Sequence, residues 1–200
     1  MSTLRRRIAA GVAVLACATP FGVAQAQDAT RDKDNIAVAT TETDGARAFD
    51  FSYGVEYQRG GVVDHKNVAN AAARCTDCRA TAIAFQIVLV NGSPTSLVPH
   101  NQAVAINDQC TNCVVYAGAR QFVRTVSDGT RITKDGLYTL YDVRRDLAAL
   151  EGQDLDVTAL TAAVEQQESR VLQVLTEELY TKSGKRSTIR QRDDNQQDAS

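Results

Sequence analysis

The tetrapeptide Cys75-Thr76-Asp77-Cys78 returns as Cys110-Thr111-Asn112-Cys113. Three chemistries use four cysteines so spaced. Two CxxC pairs separated by 31 residues have the outline of a four-thiolate zinc site. A CxxC with a low-pKa thiolate can exchange disulfides. In an oxidising compartment the same residues form structural disulfides. Five cysteines are present in all, the fifth being Cys17.

The compartment discriminates among these. Arg5, Arg6 and Arg7 precede a short apolar run, Ile8 to Ala18, and Ala24-Gln25-Ala26 reads as a small-residue cleavage site. That order is expected of a secretory signal peptide over residues 1–26. The run falls short of the ~20 residues that span a bilayer. Val14 to Cys17 form a loose lipoprotein-type signal, from which Leu15 departs, and the tandem arginines leave twin-arginine export open beside the general route. Residues 1–26 carry three Arg and no acid, so cleavage takes the net charge from −2 to −5. An acidic mature chain gives no reason to expect nucleic acid as partner. Cleavage also removes Cys17 and leaves an even four, which favours disulfides and a periplasmic or secreted location.

The elements that must hold the cysteines follow. Residues 27–47 are polar and read as a flexible leader. In Phe49 to Tyr57, aromatic and β-branched residues alternate with Asp50, Ser52, Gly54 and Glu56, the period of a half-buried strand. Arg59 to Asp64, "RGGVVD", is expected to be a turn. A shift of 35 residues superposes the two CxxC segments and carries Ala82, Ala84, Gln86 and Val88 onto Ala117, Ala119, Gln121 and Val123, and His65 onto His100. Two copies are too few for a solenoid, which needs about three stacked units. Each copy has a short alternating run before its cysteines and a longer apolar run after them. Asp77 and Asn112 sit where a tight turn wants residues that tolerate positive φ. Each copy is therefore expected to be a β-hairpin, 66–90 and 101–126, tipped by its CxxC, with "NGSP" at 91–94 linking the two. The rival reading makes the second arm of each copy a helix. From Thr133 the period becomes helical, predicting helices over about 134–151 and 157–181, with Leu137, Leu140, Tyr141, Leu147 and Leu150 on the first apolar face and Asp156 as N-cap of the second. Residues 182–200 are charged and Gln-rich and read as disordered.

A two-residue turn brings its flanking Cα atoms within about 7 Å, inside the reach of a disulfide. Local pairs, Cys75–Cys78 and Cys110–Cys113, are thus expected, although four cysteines allow three pairings. His65 and His100 each stand ten residues before a first cysteine, too far along an arm to join it, and are expected as polar strand-end residues. Arg79 follows the first motif but Val114 follows the second, so no repeated cation activates a thiol. HExxH, G-x-S-x-G and P-loop motifs do not occur, and Asp154 and Asp156 read as helix-capping residues.

The segments "CTDCRATAIAFQIVLV" and "NQAVAINDQCTNCVVYAGARQFV" resemble a family of secreted bacterial proteins without assigned function. Its members carry two C-[ST]-x-C segments followed by a helical region; the likeness covers roughly residues 50–180. Some similar proteins bear a peptide zinc metalloprotease label, but this chain has no such motif and inherits no catalytic residue.

The expectation is one α+β domain, 48–181, an antiparallel sheet containing two CxxC-tipped hairpins and followed by two helices. Its expected role is an exported, disulfide-stabilised structural or protein-interaction module without catalysis or cofactor. The alternatives are a zinc-binding protein using Cys75, Cys78, Cys110 and Cys113, or a thiol–disulfide oxidoreductase. Expected partners are a protein of the cell envelope and, through a coiled coil of the C-terminal helices, a second copy of the chain.

Overall fold

The computed structural model describes residues 34–181 and the backbone of 190–199. The expected signal peptide lies outside the described residues. Six strands come first: β1 (Asn35–Thr41), β2 (Arg47–Val63), β3 (Lys66–Ala73), β4 (Arg79–Leu97), β5 (His100–Asn107) and β6 (Val114–Val126). Sequence neighbours do not pair. Sheet order is β1-β3-β5 in one sheet and β2-β4-β6 in the other, and every one of these pairings is parallel. The chain thus runs along one sheet, turns a corner into the second and returns, three times over.

This corrects the expected antiparallel sheet. The CxxC segments are not hairpin tips. They are corners joining β3 to β4 and β5 to β6, strands that lie in different sheets. Alternation of apolar and polar residues is the same on the arms of a hairpin and of a corner, so it does not separate the two. A second feature of the sequence does. Twelve consecutive residues of β4, Ala80 to Asn91, are buried, and a near-continuous apolar run is typical of a parallel strand covered on both faces.

The repeat stacks as a short solenoid because it has a third rung. Asn35 pairs with Asn67, and Arg47 with Arg79, so the repeat begins inside the stretch expected to be a flexible leader. Residues 35–41 are β1. Three rungs meet the number at which stacked repeats bury a continuous core. No turn forms at "RGGVVD": β2 continues to Val63, with register shifts around Gly61. β4 likewise passes through Asn91-Gly92-Ser93-Pro94 to Leu97.

Two interiors result. Between the sheets the filling is small: Ala37, Ala39, Ala69, Ala71, Ala82, Ala84, Ala117 and Ala119 pack together with the cysteines. Through it runs a ladder in which Asn35 Nδ2 donates to Asn67 Oδ1 at 2.7 Å and Asn67 Nδ2 to Asn101 Oδ1 at 2.8 Å. On the far face of β2-β4-β6, Ile83, Phe85, Ile87 and Leu89 meet the helices. β7 (Arg131–Ile132) leads into α1 (Lys134–Ala148), a 3-10 turn covers Ala149–Gly152, and α2 (Val157–Glu177) runs into β8 (Leu179–Tyr180), which pairs back with β7. Both helices begin where their periodicity put them, but α2 ends at Glu177, short of the expected 181, because Leu179 and Tyr180 pair with β7. Thr133 caps α1 through Gly136 N, and Asp156 caps α2 through Ala159 N. Leu140, Val143 and Leu147 are buried, whereas Leu137 and Tyr141 are exposed, contrary to expectation. The tail expected to be disordered contains β9 (Arg190–Ala199), antiparallel to β6; 182–189 and 200 lie outside the described residues.

Candidate functional site: the stacked corners

Three corners lie one above another: Thr43-Asp44-Gly45-Ala46, Cys75-Thr76-Asp77-Cys78 and Cys110-Thr111-Asn112-Cys113. Backbone bonds join them in register. Gly45 N donates to Thr76 O and Asp77 N to Thr111 O, both at 2.9 Å. Each corner needs one residue at positive φ, and Gly45, Asp77 and Asn112 supply it at +70°, +57° and +56°. Asp and Asn accept this region better than other side-chain-bearing residues, which is why the turn reading of these two positions holds. Their side chains add a rung of their own, Asn112 Nδ2 donating to Asp77 Oδ1 at 2.6 Å. At the first corner Asp44 Oδ1 accepts from Thr76 N at 2.8 Å.

Within this frame the cysteines form two close pairs at disulfide distance. Cα atoms are 6.0 Å apart for Cys75 and Cys78, and 5.9 Å for Cys110 and Cys113. The first pair is buried and the second half-buried. The pairs also touch each other. The Sγ atoms of Cys75, Cys78 and Cys110 all lie within 4.8 Å of one another. Cys113 Sγ is 3.0 Å from the carbonyl oxygen of Cys75, and Cys75 N donates to Cys110 Sγ at 3.4 Å. Arg47 and Arg79 line a small cavity with Cys78. Both reach Asp154, at 3.1 and 2.7 Å, and Arg79 Nη1 also donates to Leu155 O. Asp154 is therefore an ion-pair partner of this corner, and of the two acids expected as caps only Asp156 is one.

The histidines stand apart from the sulfur group. His65 stands between the end of β2 and the start of β3 and is fully buried, with Nε2 2.7 Å from Gln58 Oε1 and Nδ1 3.7 Å from Glu56. His100 is exposed and lies 3.6 Å from Asp64.

Sequence reasoning missed a second candidate, the outer face of β1-β3-β5. Its outward residues form a three-by-three array in register: Ile36, Val68, Gln102; Val38, Asn70, Val104; Thr40, Ala72, Ile106. None is charged. Ile36, Val38 and Ile106 are each about half exposed, at 48, 52 and 52%. The signal was available as Asn-x-Ala-x-Ala, which begins at Asn35, Asn67 and Asn101. Alternation in these runs marked one face as buried without showing that the other face carries Ile36, Val38 and Ile106.

Among the described residues no helix is long and apolar enough to cross a membrane. Compared with family models, with curated proteins and with solved structures, the chain matches none.

Proposed function

We propose that the chain is an exported, disulfide-stapled module that binds a protein of the cell envelope and does no catalysis of its own. The observation that carries this reading is the uncharged three-by-three array on the outer face of β1-β3-β5, in which Ile36, Val38 and Ile106 are about half exposed around Asn70. Exposed apolar groups rimmed by polar residues mark interaction sites. Backbone bonds between the stacked corners hold the three strands in one register, and two of those corners are stapled. The test places a charge in the middle of the array. Val38→Lys with Val104→Lys is expected to release the protein from envelope fractions while its far-UV circular dichroism stays native. Retention of the doubly substituted protein on those fractions would overturn the assignment of this face. An insulin-reduction assay tests the oxidoreductase alternative, and turnover that disappears in Cys75→Ser or Cys110→Ser would replace the present reading with it.

A second contact follows from α1. Leu137, Tyr138 and Tyr141 are exposed at 49, 57 and 64%, and aromatic residues are enriched in interface cores. We assign this face to a homodimer. Sedimentation analysis of Tyr138→Glu against the parent is the check: a parent that sediments as a monomer at all concentrations refutes it.

A further inference from the structure

The two bridges occupy one small volume, and that volume has the dimensions of a metal site. In a tetrahedral zinc site with Zn–S near 2.3 Å, the sulfurs stand about 3.8 Å apart. Three of the four sulfurs here already lie within 4.8 Å of one another, and the fourth, Cys113 Sγ, is paired with Cys110 and stands 3.0 Å from the carbonyl oxygen of Cys75. The register of the solenoid brings them there. Parallel stacking superposes Thr76 on Thr111, so the two CxxC turns lie side by side rather than at the ends of separate hairpins.

The surroundings favour thiolates. Cys75 N donates to Cys110 Sγ. Arg47 and Arg79 line the cavity that Cys78 lines, together with Asp77 and Asp154, and both arginines pair with Asp154, so the cations there are balanced by carboxylates and the backbone amide at Cys110 Sγ is the donor that favours a thiolate. Access comes from the third rung, where Cys110 and Cys113 are only half-buried.

We propose that reduction converts the two staples into a single four-thiolate site for one thiophilic divalent cation, zinc or its cobalt analogue, held by Cys75, Cys78, Cys110 and Cys113. The reductant is a dithiol. Each bridge accepts two electrons and two protons from one dithiol, which closes to its own disulfide, and two bridges yield four thiols. The cation then displaces the four thiol protons and forms four metal–sulfur bonds. Soft thiolate ligands select such ions over magnesium or calcium. The corner thus has two closed states, stapled by sulfur–sulfur bonds when oxidised and by metal when reduced. The oxidised state closes each corner on itself, whereas the metal-bound state links the two corners directly.

The full mature chain is reduced with dithiothreitol, desalted under argon and titrated with cobalt(II). One cobalt per chain is expected, with a thiolate-to-cobalt charge-transfer band in the near ultraviolet and tetrahedral d–d bands in the visible. The oxidised chain gives neither. Cys110→Ser and Cys78→Ser, treated alike, are expected to weaken binding by at least about tenfold. Far-UV circular dichroism before and after cobalt reports the fold. A reduced, folded chain without the charge-transfer band overturns the proposal. So does a band unchanged in Cys110→Ser, which would place the metal on one rung alone. A reduced chain that loses its sheet signal and does not recover it with cobalt overturns it as well; recovery on adding cobalt supports it. None of these outcomes touches the envelope-binding face, which is tested at Val38 and Val104.

Discussion

Arg120 of β6 and Glu168 of α2 meet at 2.6 Å with side chains only 4 and 17% exposed. This ion pair ties the helical layer to the last rung of the solenoid. A buried pair adds little net stability when whole, but removing one partner strands a charge and costs about 3–5 kcal/mol. Glu168→Ala should therefore lower the unfolding free energy by roughly 3 kcal/mol, read from urea denaturation. Glu168→Gln should recover part of the loss, since an amide oxygen can still accept from the guanidinium.

The asparagine ladder predicts a gradient along the stack. Asn67 has partners on both sides and donates to Ala84 O at 3.1 Å as well. Asn35 is the end member, and its Oδ1 accepts from Ser52 at 2.6 Å. Replacing Asn67 by Ala removes these bonds from Asn101 Oδ1 and Ala84 O inside an apolar core, at about 1–3 kcal/mol for each buried polar group so affected. Asn35→Ala breaks one inter-rung bond of the ladder and also takes the Asn35 Nδ2 donor from Phe85 O, 3.0 Å away. Chemical denaturation should show a loss for both variants, with Asn67→Ala breaking two inter-rung bonds to Asn35→Ala's one; an Asn67→Ala protein as stable as the parent would contradict the ladder's role.

Tyr116 predicts a dependence on alkaline pH. Its hydroxyl is buried without a hydrogen-bond partner, and burial pushes its pKa from 10.0 up to about 12. The folded state thus prefers the neutral phenol. The contribution is fully present below pH 10 and is lost as pH rises from 10 toward 12, because the unfolded chain ionises first. Tyr116→Phe should flatten that part of the stability curve and cost little at pH 7, where it removes an unsatisfied polar atom.

The cysteine pairs predict a peptide map. Under non-reducing digestion each bridge should stay within one fragment, with no link between residues 66–90 and 101–126 and no free thiol. A Cys75–Cys110 link would break the local pairing. Because each bridge closes only a short loop, Cys110→Ser with Cys113→Ser should cost near the lower end of the usual ~2–4 kcal/mol, measured as a shift in the denaturation midpoint.

Much of this molecule is determined locally, and those parts were legible. The alternation of Phe49 to Tyr57 marks a strand because side chains on a strand alternate faces whatever lies beside it. Asp77 and Asn112 mark tight turns because their side chains tolerate positive φ, and CxxC across such a turn brings its own two cysteines together. Thr133 and Asp156 cap helices whose apolar spacing is intrinsic to a 3.6-residue turn. What only the tertiary structure decided is which strand lies beside which. Alternation says which face is buried and is silent on the neighbour, so the arms flanking each CxxC read equally well as a hairpin or as a corner between two sheets. The true partners of β3 lie 32 residues before it and 34 after it, and those hydrogen bonds run through backbone groups that carry no residue signature. The first rung escaped notice for the same reason: Thr43 to Ala46 make the corner without cysteines, and Asn35 becomes a core residue only once Asn67 is stacked beneath it to satisfy its amide. The gathering of the Cys75, Cys78 and Cys110 sulfurs across two stacked corners is likewise a product of parallel register, which sets two turns distant in sequence one strand spacing apart.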